Sequence, residues 1–148
     1  MCCNELVQIL NATDAQACFN VSNVAKENGK EFRINTQKNL CRVKNDGCLN
    51  SSKEEKKCDY IFKVCETKQV FLVELKGTNI DDAIAQIVAS FKKLQLQLNN
   101  TGHSFKAFIV SSSVPSAAEQ KFRQLKAKHK RDLNLDIDKR HSKYEINI

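Results

Sequence analysis

The chain has 148 residues, 24 Lys or Arg against 17 Asp or Glu, and a net charge of +7. Its length suits one domain spanning residues 1–148 with a core that needs no staples, and a single proline with four glycines leaves little room for a linker. No apolar run reaches the ~18 residues a membrane helix needs, so no membrane is expected as a partner. Seven cysteines are an odd set, and the Met-Cys-Cys-Asn-Glu start lacks a charged-then-apolar leader. Both features suggest mostly free thiols and a cytoplasmic protein. Triplets such as Asn11-Ala-Thr13 then carry no weight as glycosylation sites.

In chain order, the apolar residues from Leu6 to Val24 predict a helix over about residues 4–26, with a break near Thr13 and Asp14. Asn28-Gly29 reads as its stop. Phe32–Ile34 and Leu40–Val43 read as short strands, and Asn45-Asp-Gly47 as a turn. Tyr60–Val64 and Val70–Leu75 predict a hairpin turning around Thr67 and Lys68. Asn79 caps a predicted helix with inward Ile80, Ala83, Ile84, Ile87, Phe91, Leu94 and Leu98. Phe105–Val110 predicts a strand, Pro115 opens a second helix, and segments 135–137 and 144–146 add terminal strands. The order is that of an α/β chain in which an antiparallel meander precedes crossover units.

The hairpin carries charge where a structural sheet would not, because burying unpaired charge is costly. With Glu66 set against Gln69, paired positions sum to 135. Asp59, Glu74 and Lys76 then project to one face at one end, with Asp59 and Glu74 as diagonal neighbours. The opposite face (Tyr60, Phe62, Val64, Phe71, Val73, Leu75) is wholly apolar and is expected to lie under a helix. Two convergent carboxylates are hard oxygen ligands for Mg²⁺ or Mn²⁺, and the Leu75 carbonyl is a candidate third ligand. Lys76 beside them suits orientation of a water in phosphodiester hydrolysis.

Asp59, fourteen further residues, then Glu74-Leu75-Lys76 followed by a helix resembles the core of the PD-(D/E)XK nuclease superfamily. Residues 46–77 also resemble a small group of its bacterial members. The resemblance implies a restriction-endonuclease-like αβββαβ core with an extra C-terminal helix and strand. It implies metal on Asp59 and Glu74, Lys76 in water activation, and Gln86 as the glutamine some members carry on the following helix. Cys58 stands where the motif's proline would be, and Ser90 where some members have tyrosine. The acid that members often carry on the first helix has Glu5, Glu27 and Glu31 as candidates, with Glu27 or Glu31 best placed. The implied function is metal-dependent cleavage of nucleic acid, DNA before RNA. The alternative is a catalytically inactive module that binds nucleic acid or a protein.

Two further sets stand apart. Cys41, Cys48, Cys58 and Cys65 lack a Cys-X-X-Cys knuckle, and Cys58 and Cys65 would sit roughly 23 Å apart along one strand, too far for one metal. A Cys48–Cys58 pair stays open. Between Lys121 and Lys143 nine basic residues face three acids. Lys121, Lys128, Lys130 and Arg131 are the expected contacts to a phosphate backbone. With no separate targeting domain, sequence specificity would come from loops, a homodimer or a partner.

Overall fold

In a computed structural model, the described residues are 2–50, 55–75, 79–98, 102–112 and 116–148. A six-stranded mixed sheet has the order β1-β4-β5-β6-β7-β8, and a three-stranded sheet the order β2-β3-β9. In the larger sheet, β1 (Phe19–Asn20), β4 (Leu40–Lys44), β5 (Tyr60–Val64) and β6 (Gln69–Glu74) pair antiparallel with one another in that order. β7 (Ser104–Ser111) and β8 (Asp136–His141) follow in parallel. The parallel steps are bridged by α2 (Ile80–Gln97) and α3 (Ser116–Leu133), as parallel pairing requires a crossover. β2 (Val24–Glu27), β3 (Lys30–Asn35) and β9 (Lys143–Asn147) form the smaller sheet.

The fold is therefore mixed α/β, with three antiparallel strands, a helix and a parallel strand in succession. The sequence placed β3, β4, β5, β6, α2, β7, α3 and the two last strands within a few residues. Pro115, expected to open α3, lies outside the described residues. Asn79 caps α2 as expected, its side chain accepting from the Asp82 amide at 3.2 Å. Among the described residues no helix is long and apolar enough to cross a membrane.

The first forty residues depart from expectation. The long helix is instead α1 (Cys2–Ile9), a 3₁₀ segment (Thr13–Cys18), β1 and the β2–β3 hairpin. Leu6, Val7 and Leu10 satisfy one short helix, while Val21 is 66 % exposed and belongs to no helical face. Ser22 breaks the run by accepting from the Val24 amide at 3.3 Å, a local bond that competes with helix. Asn28 and Gly29, with φ of 52° and 74°, make the tight hairpin turn that right-twisted strands favour.

The two faces of the large sheet are covered differently. Ile61, Leu72, Ala107 and Ile109 pack beneath Ile84, Ile87, Phe91 and Leu94 of α2. On the other face Phe62, Phe71 and Phe108 meet Phe32, Ile34 and Tyr144 of the smaller sheet. Phe32 stands 4.9 Å from Phe108 and 5.7 Å from Phe62 between ring centroids. The apolar face of the hairpin is thus covered by a sheet, and the helix lies on the face that carries Asp59 and Glu74. Burial on both faces explains the nearly unbroken apolar run of β6.

Six of the seven cysteines are bridged, which overturns the expectation of free thiols. Cys2 pairs with Cys65, Cys3 with Cys41, and Cys18 with Cys48; Cys58 is free and buried. The open Cys48–Cys58 pairing does not form. α1 is stapled to the sheet through two consecutive cysteines, a proximity no spacing rule reveals.

Candidate functional site

The β5–β6 register differs from expectation by two residues. Tyr60 pairs with Val73 and Ile61 with Leu72, so partners sum to 133. Cys65 leaves the ladder: its amide donates to the Asn39 carbonyl at 2.8 Å, and its sulfur bonds Cys2. The loop accordingly spans residues 65–68. Lys63 Nζ ties it down, donating to the Val64 and Thr67 carbonyls at 3.1 Å each. An even displacement keeps every side chain on its face. One step beyond the last pair, Asp59 comes directly opposite Glu74 rather than diagonal to it. Opposed positions lie roughly 5 Å apart between Cβ atoms, which draws the carboxylates closer than the diagonal would.

Both carboxylates are enclosed, each residue being 1 % exposed. Asp59 Oδ2 accepts from the Leu75 amide at 2.8 Å, a charge-assisted bond that fixes its orientation just past the end of β6. Gln86 reaches down from α2. With its amide nitrogen as donor it bonds Glu74 Oε2 at 2.7 Å and the Lys57 carbonyl at 2.8 Å. The reverse orientation would set its oxygen against two acceptors. Gln86 therefore joins Glu74 to the segment that leads into Asp59.

A buried polar frame holds the backbone on either side of Asp59. Ser90 Oγ accepts from the Cys58 amide at 2.9 Å. Asn45 Nδ2 donates to the Cys58 carbonyl at 3.0 Å, and the Asn45 amide donates to the Asp59 carbonyl at 2.9 Å. Ser90 and Asn45 are 5 % and 6 % exposed. The Cys58 thiol sits inside this frame. Burial pushes it up to about 12, and the nearby charges of Glu74 and Asp59 act in the same direction. It is a neutral, packed group and not a thiolate ligand.

The other expected site residues divide. Lys76 lies outside the described residues. Glu27 and Glu31 are on β2 and β3, not on a first helix. Glu31 is committed to ion pairs with Lys26 at 3.2 Å, Arg33 at 3.4 Å and Lys143 at 3.6 Å in the smaller sheet. Glu5 is the acid on α1, yet its charge acts on Lys63, near the loop end of β5 and away from Asp59. No first-helix acid is brought to the carboxylate pair by these three. Lys121 stands at the carboxylate end, paired with Asp81 of α2 at 2.7 Å. Lys128, Lys130 and Arg131 follow roughly 10–15 Å further along α3 at 1.5 Å per residue, and Arg131 pairs with its neighbour Asp132 at 3.4 Å. Lys126 of the same helix is neutralised by Asp136 and Asp138.

Sequence reasoning set Gln86 and Ser90 on a stripe of α2 apart from its apolar face, but missed its extension through Lys93 and Gln97 and the cations beside it. Gln86, Ser90, Lys93 and Gln97 recur at helical spacing along one side of α2. Lys56 and Lys57 immediately precede Cys58-Asp59. The stripe was legible as a second periodicity, but only the structure sets it over Asp59. Among the described residues no three His, Cys, Asp or Glu side chains gather as a metal-binding group. The donor set on hand is the two carboxylates, whose hard oxygens and mutual proximity suit a divalent cation. Comparison with protein-family models, curated proteins and solved structures finds no match to this chain.

Proposed function

We propose that this chain is a metal-dependent nuclease built on a restriction-endonuclease-like core, with DNA as substrate. The observation that carries the reading is the direct opposition of two enclosed carboxylates, Asp59 and Glu74, beneath Gln86. The succession β4-β5-β6-α2-β7 supports it, since it matches the strand and helix order expected of that core.

In this reading Asp59 and Glu74 would hold Mg²⁺ or Mn²⁺, with the Leu75 carbonyl as a further ligand. When bound, such an ion lowers the pKa of a coordinated water and stabilises negative charge developing on a phosphate. The protein's own part is positional. The Leu75 amide aims the Asp59 carboxylate, and Gln86 fixes Glu74. Lys76 orients the attacking water. Lys121, with Lys128, Lys130 and Arg131 farther along α3, holds the phosphate backbone, and a homodimer would supply two such centres for a duplex. Three disulfides favour an oxidising compartment over the cytoplasm first expected.

The test is cleavage of linear and circular DNA with Mg²⁺ or Mn²⁺. Activity should vanish on Glu74→Ala and on Lys76→Ala while the circular dichroism spectrum is retained. No cleavage of any nucleic acid by the native chain would end the enzyme reading. The second reading, an inactive nuclease-fold module, is favoured by the enclosure of both carboxylates, because a substrate phosphate must displace what covers them. It predicts salt-dependent binding that survives Glu74→Ala.

A further inference from the structure

A cavity of about 280 Å³ opens between the 3₁₀ segment, the turn after β4 and the polar stripe of α2, lined by Asn45, Lys57 and Ser90 but by neither carboxylate. That is near the lower size limit of small-molecule sites, roughly 300 Å³. One wall is apolar, from Leu10, Ile61 and Leu94; the other carries Lys56, Lys57 and Lys93. Ser90, which holds the Cys58 amide, also lines it, so the cavity and the carboxylates share one frame.

Lys57 is the unusual member. It is 8 % exposed, in the class of residue that is almost never enclosed without a counter-charge. No described carboxylate lies within ion-pair distance of its ammonium, and Lys57 lines the cavity. The flanking cations are held only by surface pairs: Lys93 with Glu55 at 3.4 Å, and Lys56 with Asp82 at 4.0 Å. Exposed pairs of this kind exchange at little cost. Two acids oppose an anion here, Asp14 on the rim and Glu55, whose carboxyl is held below the usual range by Asn50 and by the lysine charges.

We infer that this cavity is a nucleotide-phosphate subsite. Lys57, assisted by Lys93 and Lys56, takes the phosphate, and the apolar wall takes the attached ring. The inference deepens the nuclease reading by naming what the strand next to the cleaved bond rests in. The same chemistry would hold a free nucleotide. Desolvation of Lys57 occurs in folding, before the ligand arrives, so the ammonium is preorganised for an anion.

The test uses the full chain with disulfides intact, in EDTA, so neither metal nor cleavage enters. Titration calorimetry with thymidine 5′-monophosphate should give saturable binding, with thymidine weaker by about tenfold or more, as loss of a charge-assisted contact implies. Lys57→Met should lose about tenfold in affinity while its thermal midpoint stays at or above that of the native chain, since the apolar stem is kept and an enclosed charge removed. Lys38→Met, on the opposite side, should bind as the native chain does. Tighter binding of 5′-phosphorylated hexathymidylate than of the mononucleotide would assign the site to a strand; equal binding would assign it to a free nucleotide, and either supports the subsite. It is overturned if the native chain binds neither, or if Lys57→Met binds within about twofold of native. Nucleotide binding without any metal-dependent cleavage would leave the subsite standing and remove the nuclease reading alone.

Discussion

Ser90→Ala isolates the frame that positions Asp59. The Ser90 hydroxyl is the acceptor for the Cys58 amide at 2.9 Å, in a region where Ser90 is 5 % and Cys58 0 % exposed. Its removal leaves a buried N–H without its acceptor, at a cost of about 1–3 kcal/mol. Alanine returns about 0.5 kcal/mol of helix propensity in the middle of α2. The volume lost is a single oxygen, so the cavity contribution is small. The net loss is about 0.5–2.5 kcal/mol, which for a chain of this size lowers the thermal midpoint by roughly 1–10 °C. Asn45→Ala removes the donor to the Cys58 carbonyl, and because both side chains act on the same peptide units the double variant should cost less than the sum. Calorimetric melts at neutral pH with disulfides intact supply the measurement. A Ser90→Ala midpoint within about 1 °C of native, or strict additivity with Asn45→Ala, would refute the frame.

Other expectations rest on the cysteines and the basic helix. Denatured, unreduced protein should release one thiol to Ellman's reagent and native protein none; two or more from the denatured chain would break the assigned pairing. The Cys2–Cys65 bridge closes a loop of 63 residues, so Cys2→Ala/Cys65→Ala should lower stability in urea by up to about 4 kcal/mol on the chain-entropy account. The Cys58 thiol ionises near 9.0 when unfolded and is pushed up to about 12 when folded. Between those values the unfolded chain holds fewer protons, so stability falls as pH rises through that window, by up to about 4 kcal/mol in all. Urea midpoints for Cys58→Ala should show a shallower decline from pH 9 upward, and parallel declines would contradict the assignment. Lys121→Gln should reduce the salt dependence of DNA binding by about one phosphate contact, and Lys130→Gln by less; fluorescence anisotropy across salt concentrations would expose the reverse order.

What the sequence made legible follows from period and punctuation. Alternation and turn residues located β3 to β7, and Asn79 marked the start of α2 because an N-cap side chain acts within four residues of itself. Asp59 and Glu74 were set on one face by strand parity, which survived even though the register did not, and Gln86 was singled out by the family resemblance. The hairpin register depended on Cys65, whose partners Cys2 and Asn39 are distant in sequence and send no local signal. The same long-range chemistry hid the β2–β3 hairpin, where Val24, which fits a helical period, instead edges a small sheet. Glu27 and Glu31 were misplaced for that reason. Lys57 was passed over as one cation in a polar loop, because a run such as Lys56-Lys57 does not reveal that one of the two is enclosed.

The most direct test of the central reading is metal-dependent cleavage by the intact, disulfide-bonded chain. Supercoiled DNA incubated with Mn²⁺ or Mg²⁺ should be nicked or linearised by the native protein, and Mn²⁺ should raise its thermal midpoint. Both effects should be absent in Asp59→Asn and Glu74→Gln that remain folded. A native chain that neither cleaves nor is stabilised by the ion, or a Glu74→Gln variant that cuts at the native rate, would contradict it.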